Sequence, residues 1–276
     1  MAKLAGPRPS LWHRVTFWIR ERVIVFYGIL ALIYLFAPIA VVAIFSFNKP
    51  LGRTNSTWNE FSLDAWIDIC RDPTICQAVE TSIRISVVST VFATLLGTLI
   101  AFALVRHRFR GRSTTNLMIF LPMATPEVVL GASILALFLN IGLPLGPTAV
   151  MIAHIMFSIS FVVVTVKSRL QGMDPRLEEA AQDLYANENA TFRYVTLPLV
   201  APGIAAAALL AFSLSFDDYI ITNFNSGTTV TFPMYVWGAA QRGIPAQVNV
   251  IGTIMFVAAL SMVLIAQLAA KAKQRP

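Results

Sequence analysis

Long apolar runs separated by short polar stretches dominate this chain, and six of them, at 23–47, 83–105, 117–140, 148–166, 203–221 and 248–270, predict helices. Crossing roughly 30 Å of hydrocarbon takes about 20 apolar residues. Within lipid a helix satisfies its own backbone, so the pattern predicts an all-α membrane protein with six transmembrane helices. The first, second and sixth runs are the clearest. The third is irregular, with Pro122 and Pro126 inside it, Gly131 beyond, and Gly142, Pro144, Gly146 and Pro147 at its exit. Proline removes a backbone donor and bends a helix, a defect tolerated where neighbours or a cavity take up the carbonyls it leaves. This run is expected to line a path.

Composition agrees: 57% of residues are hydrophobic and 13% charged, more apolar than the roughly 45–50% typical of soluble domains. Sixteen of the 21 basic residues fall before the first run, between the second and third, after the fourth or after the sixth. Basic residues in short loops are retained in the cytoplasm. The expected organisation is therefore a cytoplasmic segment 1–22, a membrane domain 23–270 with a cytoplasmic loop at 167–202, and a cytoplasmic tail 271–276. The net charge of +7 reports topology, and the basic stretch 106–112 reads as a membrane-surface anchor, not a nucleic-acid patch. The N-terminus lacks a small-residue cleavage site, so the first run reads as a retained span.

The segment 48–81 carries Glu60, Asp64, Asp68, Asp72 and Glu80 with Phe61, Leu63, Trp66, Ile67 and Ile69 between them. A short interfacial helix is expected there, with Trp58 and Trp66 at headgroup level. Cys70 and Cys76 permit a local disulfide, which their spacing alone does not decide. Without a nearby His or further Cys they make no zinc site.

Between the fourth and fifth runs lies a polar insert. Asp174 before Pro175 is a helix start. Leu177, Ala180, Ala181 and Leu184 then recur at i, i+3, i+4 and i+7, with Glu178, Glu179, Gln182 and Asp183 around them, giving one small apolar face. Asn187 can cap a second short helix, expected to end before Leu197-Pro198. The product is a helix-turn-helix outside the membrane. Its spacing, Glu179-Ala180-Ala181, a turn position at residue 185, then Val195-x-Leu197-Pro198, resembles the EAA loop of bacterial ABC importer permeases. That resemblance implies that Glu179, Ala180, Ala181, Leu184, Tyr185, Leu197 and Pro198 couple the chain to an ATP-hydrolysing subunit. Tyr185 stands where the family usually has glycine; either Asn187 makes the turn, or Tyr185 fills the partner's groove.

Acids within hydrocarbon are candidate functional groups by default. Glu127 lies in the third run and Asp217 and Asp218 in the fifth, and no basic residue within the runs is expected to neutralise them. Tyr219, Tyr235 and Trp237 are near enough in sequence to offer ring faces to an ammonium group. The plainer alternatives are that Glu127 bonds carbonyls left by Pro126 and that one aspartate caps the fifth span. Helical neighbours point about 100° apart, so at most one of the pair faces a common site. His154 reads as a packed, hydrogen-bonded histidine in preference to a proton relay.

Over nearly its whole length the chain resembles the second permease of bacterial spermidine and putrescine importers. The resemblance rests on Pro126-Glu127-Val128-Val129-Leu130-Gly131, on Phe161-Val162-Val163-Val164-Thr165-Val166 with Ser168-Arg169-Leu170, on the EAA loop, and on Ser213-Leu214-Ser215-Phe216-Asp217-Asp218. It implies a type I ABC importer permease in the bacterial inner membrane, with Glu127, Asp217, Asp218, Tyr219, Tyr235 and Trp237 toward a polyamine. The implied partners are two ATP-binding subunits, a homologous second permease and an extracytoplasmic binding protein. The chain has no P-loop sequence, so ATP and magnesium are expected on the partners and no cofactor on this chain. The same machine carrying a sugar, an amino acid or iron is the first alternative, and an ATP-independent transporter or channel the second. No nucleophile-base pair or metal-ligand cluster points to an enzyme.

Overall fold

The structure, a computed structural model, describes residues 11–273; the sequence-predicted ends before and after lie outside the described residues. In chain order the helices are α1 (Leu11–Phe45), α2 (Asp64–Ile67), α3 (Pro73–Arg106), α4 (Arg112–Ala124), α5 (Glu127–Asn140), α6 (Pro147–Gln171), α7 (Arg176–Asp183) and α8 (Glu188–Thr191). A π-helical turn, Phe192–Thr196, then leads into α9 (Leu197–Asp217), followed by α10 (Ile220–Asn225), α11 (Phe232–Arg242) and α12 (Ala246–Lys273). Among the described residues five stretches are long and apolar enough to cross a membrane: Arg22–Phe45, Pro73–Arg106, Pro147–Gln171, Glu188–Asp217 and Ala246–Ile265.

The third apolar run is where pattern and structure part. It forms two helices, α4 and α5, bent by 111° from one another. Pro122 is carried inside α4, but Thr125, held extended at φ −83° and ψ 134° before Pro126, ends it. A residue preceding proline avoids helical geometry, and proline cannot donate back into the turn before it. Pro126 instead becomes the cap from which α5 starts at Glu127.

The entry to the fifth span also differs from expectation. The second short helix does not stop before Pro198. Leu197 N–H reaches back to Phe192 O across the π turn, and this wider i→i+5 register carries the rod into α9 with Pro198 in its first turn, where a missing donor matters least.

The chain divides into two compact units, Asp72–Gln241 and the remainder from either side of it. In the larger unit α3, α6 and α9 form the core. Ala93 and Ala101 of α3, Val162, Val163 and Val166 of α6, and Ala207 and Ala211 of α9 are buried together. Gly97 sets the closest approach: a Cβ built there would stand 2.6 Å from Val162 Cγ1. Small residues at such a crossing let membrane helices pack backbone to backbone. Likewise Gly131 of α5 lies against Phe224 and Ile221 of α10.

In the other unit α1 runs beside α12, with Phe36 edge-on to Phe256. The segment after α1 is ordered by Asn48, whose amide donates to Asn55 Oδ1 at 2.6 Å and to Thr57 O at 2.8 Å. Phe47 stacks on both Phe61 and Trp66. The interfacial helix foreseen here shrinks to the four residues of α2. Both cysteines are disulfide-bonded, which decides the pairing that their spacing left open.

Candidate functional site

The fifth span breaks at its acids. α9 ends at Asp217, Asp218 is extended at φ −65° and ψ 123°, and α10 begins two residues later. The Asp218 carboxylate caps α10, accepting from Thr222 N at 2.8 Å, Thr222 Oγ1 at 2.9 Å and Ile221 N at 3.4 Å. His154 of α6 completes the enclosure. Its Nδ1 lies 2.7 Å from Ser215 Oγ, and its Nε2 lies 2.9 Å from Thr222 Oγ1 and 3.3 Å from Asp218 Oδ2. Because the Thr222 hydroxyl donates to Asp218, it turns lone pairs toward the imidazole, so Nε2 carries the proton.

This corrects two expectations. A basic residue within the spans does face one of the acids, and that acid caps the helix after the break, not the fifth span. Asp218, 6% exposed at its side chain, is consumed by this internal network. Asp217 keeps an open surface and has no cationic partner among the described residues.

Tyr219 stacks on Trp237, ring centroids 5.2 Å apart and planes 29° from parallel, and Trp237 is 56% exposed. Tyr235 is directed elsewhere, its hydroxyl donating to Asp72 Oδ2 at 2.9 Å. Asp72 caps α3, and the Thr74 hydroxyl and then the Thr74 amide hold its carboxyl below the usual aspartate range. Glu127 is exposed at the first residue of α5, and its side chain makes no hydrogen bond among the described residues. The bond to carbonyls left by Pro126 is therefore not formed.

The helices that follow these acids pack on one another. Gly131, one turn past Glu127, touches Ile221, one turn past Asp217. Farther on, Gly146 N donates to Asn225 O. α5 and α10 thus run in the same sense, with Glu127 the first residue of α5 and Asp217 the last residue of α9, before the break that precedes α10.

The polar insert folds as a second feature. Asp174 Oδ1 accepts from Arg176 N and opens α7. The helix ends in a Schellman closure, Ala186 N to Ala181 O and Tyr185 N to Gln182 O. Tyr185 itself takes the left-handed position at φ 62°. Tyr185 is 98% exposed and Leu184 beside it 81% exposed. Asn187 caps α8 by accepting from Ala190 N at 2.8 Å. Glu179, Ala180, Leu197 and Pro198 are exposed and Ala181 half-buried, and α7 buries no residue against the rest of the chain. The far end of the apolar face, at Leu184, is therefore uncovered by the rest of the chain.

Glu178, which the sequence marks only as a polar position, turns inward. It forms a two-pronged ion pair with Arg106, the last residue of α3, and accepts the Thr196 hydroxyl from the π turn. The Arg106 guanidinium, and then Thr196, hold the Glu178 carboxyl below the usual range against the opposing effect of burial. Among the described residues no group of His, Cys, Asp and Glu could hold a metal ion.

Residues 93–273 match the family of binding-protein-dependent transport system inner membrane components. The chain belongs to this family. It is 38% identical over 243 residues to the Escherichia coli K12 spermidine/putrescine transport system permease protein PotC, covering 88% of this chain and 91% of that protein. It is 35% identical over 235 residues to the putrescine transport system permease protein PotI of the same organism, covering 82% and 83%. A bacterial ABC transporter involved in alginate import superposes with a TM-score of 0.63 at 20% identity, over 96% of this chain and 99% of that one. The fold is therefore that of type I ABC importer permeases. The permease is a multi-pass inner-membrane transport subunit, not an enzyme.

Proposed function

We propose that this chain is a permease subunit of an ATP-driven importer that moves polyamines into the cell by alternating access. The observation that carries the substrate class is Asp217: an open carboxylate at a helix break, followed by a stacked Tyr219–Trp237 pair and without a cation among the described residues. An ammonium ligand would supply the missing charge and lie against the ring faces. Glu127, at the matching end of α5, offers a second anionic contact to a molecule with several amines. Similarity to proteins named for spermidine and putrescine supports the same reading.

The uncovered end of the apolar face of α7, with Leu184 and Tyr185 at its tip, is proposed to seat in a groove of a cytoplasmic ATP-binding subunit. Two such subunits hydrolyse ATP, a homologous second permease completes the path, and an extracytoplasmic binding protein delivers the substrate. The distribution of basic residues supports a cytoplasmic location for both termini. The test is the ATPase rate of the purified assembly with binding protein loaded with spermidine, loaded with putrescine, or empty. Stimulation by a loaded form supports the proposal, and equal rates in all three contradict it.

A further inference from the structure

The adjacent glutamates of the insert point to different tasks. Glu179 is exposed, whereas the Glu178 side chain is only 13% exposed and joins three elements: α7 through its own backbone, the end of α3 through Arg106, and the π turn ahead of α9 through Thr196. No residue of α7 is fully buried, although the helix also packs on α8 and on the π turn, while α3 and α9 are two of the three helices of the core. The ion pair with Arg106 ties α7 directly to the end of α3.

We infer that Glu178, with Arg106 and Thr196, is a latch that passes movement of α7 to α3 and α9. It is a positioning residue, distinct from the outward surface that meets the ATP-binding subunit. This inference rests on the coupling role proposed above. A fork-to-fork guanidinium–carboxylate pair fixes direction as well as distance, which suits a mechanical joint. The threonine ties the same carboxylate to the one stretch of the rod whose hydrogen-bond register is already altered. π turns inside α-helices are rare and frequent at functional sites, and the joint meets the rod at such a turn.

The experiment uses the whole importer, purified with its ATP-binding subunits and reconstituted, and reads substrate imported per ATP hydrolysed. Glu178→Gln and Arg106→Gln are each expected to lower that ratio about fivefold while the ATP-binding subunits remain in the purified complex. The charge exchange Arg106→Glu with Glu178→Arg is expected to recover most of the loss. Thr196→Val, which changes little in shape, is expected to lower the ratio less, in the same direction. An unchanged ratio in both Glu178→Gln and Thr196→Val overturns the latch. So does loss of the ATP-binding subunits from the Glu178→Gln complex, which would make the residue a docking contact. Failure of the unaltered chain to retain those subunits would instead overturn the coupling reading beneath it.

Discussion

His154 and Asp218 meet at 3.3 Å inside the protein, their side chains 2% and 6% exposed, and together they hold the break at the end of the fifth span. Removing the imidazole takes one donor from the buried Asp218 carboxylate, which keeps Thr222 and Ile221, and takes from Ser215 its bond to Nδ1. His154→Ala is therefore expected to destabilise the permease by about 1–3 kcal/mol, and His154→Gln, which can restore one of these bonds, by less. Denaturant titration in detergent checks the order, and equal stability of all three proteins would contradict it.

Asp217 has no such role in the network. Asp217→Asn is expected to leave the denaturation midpoint unchanged and to raise the KM for spermidine uptake by about tenfold, the effect of roughly 1.4 kcal/mol. Glu127→Gln should act in the same direction. Uptake kinetics beside a melting curve separate this from misfolding, and an unchanged KM in both variants removes these acids from the path.

Tyr185 pays a conformational penalty that its ring does not repay within this chain. A residue with a Cβ in the left-handed region costs about 1–2 kcal/mol, which glycine avoids. Tyr185→Gly should therefore raise the stability of the isolated permease slightly while weakening retention of the ATP-binding subunits. Co-purification and melting measured together check this, and tighter retention in the glycine variant would contradict it.

At Gly97 the space is already taken by Val162. Gly97→Val should separate α3 from α6 and cost about 1–3 kcal/mol, with part of the loss recovered by Val162→Ala in the same chain. A double-mutant cycle on the denaturation midpoint reads the coupling directly, and strict additivity of the two changes would contradict the contact.

The ion pair at Glu178 sets a pH dependence. Its carboxyl lies below the ordinary glutamate value of 4.5, so the folded state binds the proton less tightly than the unfolded one. The stabilisation is therefore fully present above about pH 4.5 and lost as pH falls through the lower folded value. The stability difference between the wild type and Glu178→Gln should be flat from about pH 6 to about pH 8 and shrink below about pH 4.5. Melting curves across that range check it, and a difference that grows in acid would contradict it.

What could be read ahead of the structure follows the range of the interactions. Apolar runs and caps are local, so the long helices, the Asp174 start and the Asn187 cap were visible in the order of residues. Pro126 announced a defect but not a 111° bend, because the same proline can kink a helix or end it, and neighbouring helices decide which. His154 could not be paired with Asp218 because α6 and the α9–α10 break meet only in three dimensions. Glu178 looked like any polar position of an amphipathic helix. Its partner, Arg106, lay in a basic stretch read as a membrane anchor, and nothing short of tertiary structure distinguishes the one arginine that turns back onto the loop.

Whether import by this permease depends on ATP is read by uptake of labelled spermidine into proteoliposomes containing the complete importer, with binding protein outside and ATP or no nucleotide within. Accumulation with ATP, its loss without nucleotide and its reduction by Asp217→Asn are the predicted results. Equal accumulation in the absence of nucleotide would contradict ATP-driven import.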